Sequence, residues 1–149
     1  MRTMGLDVGT KTVGVAVSDE LGLTAQGVTT IRRTNLKTDL AELKKLIAER
    51  GVEHVVIGLP LNMDGTEGPR AEASRQFGDA VVKATGLTVE YWDERLSTAA
   101  AQRVLLEADV SRQKRRQVVD QMAASIILQG WMEAKRPALE PDYDEDWSG

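Results

Sequence analysis

The sequence predicts an α/β protein built on a five-stranded mixed sheet with helices on both faces. Three short predicted strands come first, over residues 3–8, 13–18 and 26–32, and the tight turns between them indicate an antiparallel arrangement. Two further strands, at 55–57 and 87–92, alternate with segments of helical periodicity. Strands joined through helices are typically parallel, so the predicted order is βββαβαβαα with a mixed sheet.

The first three predicted strands differ in their patterns. Residues 3–8 are mostly apolar, which is typical of a buried strand. In residues 13–18, valines alternate with small residues, and this period of two predicts a strand. Turns containing glycine, over 9–12 and at Gly22, separate the three strands.

Two helices are predicted between the later strands because apolar residues recur every three or four positions. Asn35 is the expected N-cap of the first helix and Gly51 its end, whereas Pro69 opens the second helix and Gly86 ends it. Residues 58–69 form the predicted loop before the second helix. The predicted apolar faces are Leu36, Leu40, Leu43 and Ile47 in the first helix, and Ala73, Phe77, Ala80, Val81 and Ala84 in the second.

The last part of the chain is predicted to hold a short helix from about residue 98 and a long helix from 117 to 134. In the long helix, Asp120, Ala124, Ile127 and Trp131 share one face. We expect a single domain over residues 1–136, since this length can enclose one sizeable core. Residues 137–149 are acidic and contain proline, and we predict that they are disordered.

The composition excludes several classes of site. The chain has no cysteine, which rules out disulfides, thiolate zinc sites and a cysteine nucleophile. Its one histidine, His54, is interpreted as a residue at the start of a strand, without the histidine partner of a zinc site. No apolar run approaches the roughly 20 residues of a transmembrane helix, and no signal-peptide pattern is present. We therefore expect a cytoplasmic protein.

The charge is unevenly distributed, although the net value is only −4. From Lys135 onward the chain holds two positive and five negative residues, so residues 1–134 hold 17 positive and 18 negative ones. The densest basic segment is the run 112–116, Arg-Gln-Lys-Arg-Arg. Local patches decide whether a phosphate backbone can dock, so a nucleic-acid partner is compatible with this composition.

Three acidic residues, Asp7, Glu94 and Asp120, stand where acidic residues are usually disfavoured. Asp7 lies at the end of an apolar strand, Glu94 just beyond another, and Asp120 on the apolar face of a helix. A buried, unpaired carboxylate costs several kcal/mol or takes up a proton. Ligands gather at the carboxyl ends of strands in such sheets, and a divalent cation would favour three ionised carboxylates there.

Each motif also has at least one other interpretation. The segment 7–14 can be an ordinary hairpin with a turn-capping aspartate, or the phosphate loop of actin-like and sugar-kinase ATPases. The segment 93–98 can be a solvated connection with Ser97 or Thr98 as a helix cap. Asp120 can pair with Arg116 four residues earlier in a helix. The basic run can be a solvated loop, although a phosphate contact is favoured if it lies beside a carboxylate cluster.

Together these segments resemble the YqgF (RuvX-like) family of bacterial nucleases, which are similar to Holliday junction resolvases. The resemblance covers most of the chain up to about residue 134. It rests on Asp-Val-Gly-Thr-Lys-Thr-Val-Gly-Val-Ala at 7–16, Gly-Leu-Pro-Leu-Asn-Met-Asp-Gly-Thr-Glu-Gly at 58–68, Asp-Glu-Arg-Leu-Ser-Thr at 93–98 and Val-Asp-Gln-Met-Ala-Ala at 119–124. The long central segment and the segment 93–98 are the most specific of the four.

The resemblance implies a ribonuclease H-like fold and hydrolysis of phosphodiester bonds, with Asp7, Glu94 and Asp120 as the catalytic acidic triad. These carboxylates would bind one or two Mg²⁺ or Mn²⁺ ions. The family is associated with maturation of the 5′ end of 16S rRNA and with junction resolution, so the partner is RNA or DNA, and for the RNA role a pre-ribosomal particle. The expected phosphate-binding residues are Lys11, Arg70, Arg95, Arg112, Lys114, Arg115 and Arg116.

Two alternative functions are compatible with the sequence. The first is an ATP-binding protein that uses the segment 7–14, which would not explain Glu94 or Asp120. The second is a nucleic-acid-binding module whose carboxylates are vestigial. Aromatic residues are scarce, with one Phe, two Tyr and three Trp. Recognition of a nucleic acid is therefore expected to depend on its backbone and shape more than on base stacking.

Overall fold

The computed structural model describes residues 1–96 and 112–135, and for residues 112–119 the backbone alone. The strands are β1 (Arg2–Val8), β2 (Thr12–Ser18), β3 (Ala25–Arg32), β4 (Val52–Leu59) and β5 (Thr88–Asp93). The helices are α1 (Leu36–Arg50), α2 (Pro69–Thr85) and α3 (Arg112–Lys135), with a short 3-10 helix over Glu94–Leu96. The short helix predicted from residue 98, the domain limit at 136 and the tail 137–149 lie outside the described residues.

The strands form one mixed sheet in the order β3-β2-β1-β4-β5, which confirms the predicted fold class. The pairs β1–β2 and β2–β3 are antiparallel, whereas β1–β4 and β4–β5 are parallel. The carboxyl ends of β1, β4 and β5 therefore lie at one edge of the sheet, called the carboxyl edge below. In sheets of this kind, ligands bind at that edge.

The sheet is covered on both faces, as predicted. Met4, Leu6 and Val8 of β1 face the main core with Leu43 of α1 and Phe77 of α2. Successive side chains on a strand point to opposite faces, so the alternate residues of β1 face α3. A Cβ added to Gly5 would lie 2.7 Å from Cβ of Leu128, which shows how closely α3 packs on this face.

The helix boundaries are set by the predicted caps, but the buried faces differ in part from the prediction. The side chain of Asn35 accepts a hydrogen bond from the Thr38 amide, and Gly51 and Gly86 end α1 and α2 in the left-handed conformation. Leu36 is 47% exposed, contrary to prediction, because it begins its helix at the edge of the core. Ala73 is also exposed. The residues of α2 that are buried are Ala71, Ser74, Phe77, Gly78 and Val81.

The long helix begins five residues earlier than predicted. Its first residue is Arg112, so the basic run 112–116 lies in the first turns of α3 and not in a loop before it. Residues 112–116 are all charged or polar, so they have no apolar periodicity that would predict a helix. Arginine, lysine and glutamine are nevertheless all favourable in helices. No helix in the described ranges is long and apolar enough to cross a membrane.

Candidate metal centre

Asp7 lies in the central strand β1, one residue before the strand ends at the carboxyl edge. It is 9% exposed, and it follows Gly5 on the face that α3 covers. Its neighbour across the antiparallel ladder is Gly14 of β2. On the other side, Leu6 pairs with Ile57, which places Gly58 of β4 beside Asp7. A glycine therefore flanks Asp7 on each side.

Gly14 admits the backbone of Asp120. A Cβ on Gly14 would collide with the carbonyl oxygen of Asp120 and would lie 2.6 Å from its carbonyl carbon. Only a residue without a side chain permits this approach of α3 to β2. The approach brings Asp120, which is half-buried, next to the strand position that pairs with Asp7.

Gly58 admits the side chain of Glu94 from the other direction. A Cβ on Gly58 would lie 3.1 Å from Oε1 and 3.2 Å from Cγ of Glu94, and it would also collide with Cδ1 of Ile127. Glu94 follows β5 directly, as the first residue of the 3-10 helix. Its carboxylate thus extends over β4 toward the central strand, which brings it to the same face as Asp7.

The three predicted acids are therefore brought to one face of the sheet at its carboxyl edge. Neighbouring strands lie about 4.8 Å apart, so the positions of Gly14 and Gly58 are separated by roughly 10 Å with Asp7 between them. Within residues 1–96 and 112–135, no three Asp, Glu, His or Cys side chains are gathered tightly enough to hold a metal ion together. Closure around an ion would require the carboxylates to move closer.

Thr12 holds the carboxylate of Asp120. The Thr12 hydroxyl donates a hydrogen bond of 2.6 Å to Oδ2 of Asp120, across 108 residues of sequence. Thr12 begins β2, and its position is two residues from Gly14 on the same face. This contact could not be predicted from the sequence, because a threonine at a strand start is common and only the approach of α3 gives Thr12 its partner.

A second network fixes the turn between β1 and β2. The Arg33 guanidinium donates to the Gly9 carbonyl at 2.8 Å and pairs with the buried carboxylate of Asp39 at 3.6 Å. The Arg33 amide also donates to the Lys11 carbonyl at 2.9 Å. These bonds anchor the turn that follows Asp7 to the start of α1, so the end of β1 is firmly positioned.

Arg95 is engaged by its neighbour Asp93. Its Nη2 donates to Oδ2 of Asp93 at 2.8 Å, and its Nε lies 3.1 Å from both carboxylate oxygens. The Arg95 guanidinium lowers the pKa of the Asp93 carboxyl by hydrogen bonding, so this pair stays ionised. Arg95 was predicted to bind phosphate, and any phosphate contact would have to be made alongside this ion pair.

The other predicted phosphate-binding residues are distributed around the carboxyl edge. Lys11 is exposed in the turn between β1 and β2, and Arg70 is exposed in the first turn of α2. The run 112–116 lies in α3 four to eight residues before Asp120. At about 1.5 Å per helical residue, its backbone is about 6–12 Å along the axis from Asp120.

His54 lies near the start of β4, as predicted. It belongs to a hydrogen-bond network separate from the three carboxylates. Its Nδ1 lies 2.5 Å from the Thr88 hydroxyl and its Nε2 lies 2.7 Å from Oε2 of Glu90. The imidazole also packs against Trp131 of α3, with ring centroids 5.3 Å apart. These contacts connect β4, β5 and α3 within the fold.

Comparison with solved structures defines the class of fold. The chain superposes on RuvC of Thermus thermophilus in complex with a Holliday junction substrate, with a TM-score of 0.55 over 91% of this chain and 95% of RuvC. The sequences are 16% identical, so the likeness concerns the fold alone. The five-stranded sheet, with its first three strands antiparallel, is thus the ribonuclease H-like fold of resolvases.

Sequence comparison then defines the family. Residues 1–134 match the family model RuvX, described as Holliday junction resolvase, and the chain belongs to this family. A relative from Myxococcus xanthus is 68% identical over 98% of this chain and 96% of its own length. One from Moorella thermoacetica is 62% identical over 89% of this chain and 95% of its own length. Both relatives bear the provisional name pre-16S rRNA nuclease.

Proposed function

We propose that this protein is a cytoplasmic, metal-dependent nuclease that processes the 5′ end of precursor 16S rRNA, acting on a pre-ribosomal particle. Membership of the RuvX family and the ribonuclease H-like fold support the nuclease activity. The names of the relatives from M. xanthus and M. thermoacetica support the RNA substrate. The observation that carries the proposal is the pair of glycines, Gly14 and Gly58, which admit Asp120 and Glu94 on either side of Asp7.

The donor set fits a hard divalent cation. Asp7, Glu94 and Asp120 offer only carboxylate oxygens, the ligands that Mg²⁺ and Mn²⁺ prefer. These residues would hold one or two such ions, which in enzymes of this kind activate water and stabilise the leaving oxygen. The chain itself would position the carboxylates: β1 fixes Asp7, Thr12 restrains Asp120, and Gly58 leaves room for Glu94.

The exposed cations around the carboxyl edge would bind the substrate backbone. Lys11 is exposed in the turn after β1, Arg70 is exposed in the first turn of α2, and the first turns of α3 carry the basic run. These residues would neutralise phosphates and position the nucleic-acid strand, without recognising its base sequence. The described aromatic residues support this assignment, because none of them is among the exposed large side chains.

Junction DNA is the second candidate substrate, because the matching family model is described as a Holliday junction resolvase. The ATP-binding alternative is less well supported. It would use the hairpin after Asp7 but gives no reason for the glycines that admit Glu94 and Asp120. Calorimetry with ATP and Mg²⁺ checks this point, and we expect no binding at micromolar concentration.

A cleavage assay tests the proposed function. Labelled precursor 16S rRNA fragments, single-stranded DNA and a four-way junction would be incubated with Mg²⁺, with Mn²⁺ or with a chelator. We expect cleavage of the RNA with either metal ion and none with the chelator. Preferential cleavage of the junction would replace the RNA assignment by the resolvase one. Binding without metal-dependent cleavage of any substrate would show a non-catalytic binding module.

Replacing Thr12 by valine removes the hydroxyl that restrains Asp120 while keeping the shape of the side chain. Groups that orient a metal ligand typically contribute 10- to 100-fold to metal affinity. We expect the Mn²⁺ concentration for half-maximal cleavage to rise about tenfold in Thr12→Val and to stay near the wild-type value in Thr12→Ser. An unchanged Mn²⁺ requirement in Thr12→Val would show that the hydrogen bond has no part in metal binding.

Removing the positive charges of the α3 run should weaken binding of all nucleic-acid sequences alike. If Arg112, Lys114, Arg115 and Arg116 contact phosphates, each change to glutamine should flatten the slope of log affinity against log salt by roughly 0.7–0.9. Fluorescence anisotropy at several salt concentrations measures this slope. The matched control is Lys44→Gln with Lys45→Gln, two exposed cations on α1, across the sheet from α3. An unchanged slope in the quadruple variant would exclude the run from the interface.

A further inference from the structure

The segment 60–68 between β4 and α2 forms a tightly bonded turn at the carboxyl edge. The amide of Asn62 donates to the Thr66 carbonyl at 2.9 Å, and the amide of Gly65 donates back to the Asn62 carbonyl at 2.9 Å. Oδ1 of Asp64 accepts from both the amide and the hydroxyl of Thr66, at 3.0 and 2.7 Å. Gly65 has a φ of 88°, which a residue with a side chain would rarely adopt. The turn is therefore fixed by its own backbone and side chains.

Arg95 joins this turn to the candidate metal centre. Nη1 of Arg95 donates to the Met63 carbonyl at 3.2 Å, while the rest of the guanidinium is held by Asp93. Glu94, the neighbour of Arg95, extends its carboxylate over Gly58. The position of the turn is thus coupled to the position of a candidate metal ligand one residue away.

The side chain at the tip of this turn is apolar and almost wholly in solvent. Met63 is 96% exposed, and Leu96, which ends the 3-10 helix after Glu94, is 69% exposed. Single exposed apolar side chains are common on protein surfaces and usually require no explanation. Here, however, the side chain stands on a turn that is held by its own hydrogen bonds and by Arg95, the neighbour of Glu94, and it contributes nothing to the core.

We infer that Met63 is a substrate contact that packs against an unpaired nucleobase next to the scissile phosphate. This inference rests on the proposed function, since it requires a nucleic-acid substrate. A thioether is polarisable and packs favourably against aromatic rings, and a nucleobase presents such a face to any sequence. In a fully paired duplex the faces of the bases are stacked on each other, so the contact is specific for unpaired segments.

The test compares two RNAs of equal length, one single-stranded and one fully paired, bound in the presence of a chelator so that neither is cleaved. We expect Met63→Gln to weaken binding of the single strand about two- to tenfold, the range of a sulfur–aromatic contact. Binding of the duplex should change less than twofold. Met63→Leu, which keeps an apolar side chain but lacks the thioether sulfur, should restore only part of the lost affinity, and the salt slope should stay unchanged because no phosphate contact is removed.

The matched control is Leu21→Gln. Leu21 is 79% exposed in the turn between β2 and β3, at the opposite edge of the sheet, so this change should affect neither RNA. Wild-type affinity of Met63→Gln for the single strand, or equal losses on both RNAs, would overturn the inference. Failure of the wild-type protein to bind either RNA would instead overturn the proposed function, and the inference with it. Unchanged thermal unfolding of the variants confirms that each is folded.

Discussion

Replacing Asp7 by asparagine is expected to lower the rate of cleavage about a thousandfold or more, with little effect on the fold. Metal ions in nuclease sites contribute several kcal/mol of charge stabilisation, and each 1.4 kcal/mol corresponds to about tenfold in rate. Asparagine keeps the shape of the side chain but loses the negative charge. The same result is expected for Glu94→Gln and Asp120→Asn. Single-turnover cleavage at saturating Mn²⁺ measures the effect.

Asp79→Asn serves as the control for this series, since Asp79 is exposed on α2, on the face of the sheet opposite α3. It should cleave at the wild-type rate. Thermal unfolding in a chelator should show that the three amide variants remain folded. Wild-type cleavage by any one of them, in a preparation free of contaminating nuclease, would remove that residue from the catalytic assignment.

Replacing Gly14 by alanine should have the second large effect, on stability as well as on cleavage. The added methyl group would collide with backbone atoms of Asp120, which cannot move aside without displacing α3. Overpacking of this kind costs about 3 kcal/mol, which corresponds to a fall in Tm of roughly 6–12 °C for a domain of this size. Because the displacement moves Asp120, cleavage should fall too, even under conditions in which the variant is folded.

Gly68→Ala provides the comparison for Gly14→Ala. A Cβ at Gly68 would lie 3.4 Å from the nearest atom, Oδ1 of Asn62, an ordinary contact distance. This residue caps α2 with extended backbone, so alanine should cost no more than about 1 kcal/mol. Equal stability of Gly14→Ala and Gly68→Ala in thermal unfolding would mean that α3 does not pack on β2 as closely as the structure shows.

The sequence predicted the strands and the sheet class because these depend on local patterns. Alternating valines in β2 and the caps of α1 are visible within a few residues of sequence. The start of α3 could not be predicted in this way. Its first five residues are charged or polar, and only the backbone structure shows that they continue the helix that carries Asp120.

Sequence patterns single out the three acids proposed for the site but not the residues that bring them together. Asp7, Glu94 and Asp120 stand out because carboxylates are costly beside apolar segments. Gly14, Gly58 and Thr12 gave no such signal, since glycine and threonine are ordinary in strands and turns. Their importance comes from contacts between residues distant in sequence, such as the 108 residues that separate Thr12 from Asp120.

The most direct test of the central claim is paramagnetic broadening of backbone NMR signals by Mn²⁺. If the three carboxylates bind one cation centre, low Mn²⁺ concentrations should broaden the amides of Asp7, Gly14, Gly58, Glu94 and Asp120 together. The turn between β2 and β3, at the opposite edge of the sheet, should keep sharp signals, and Asp7→Asn should abolish the broadening at the carboxyl edge. Broadening centred elsewhere in the chain, or unchanged in Asp7→Asn, would contradict the assignment of these carboxylates to a shared metal centre.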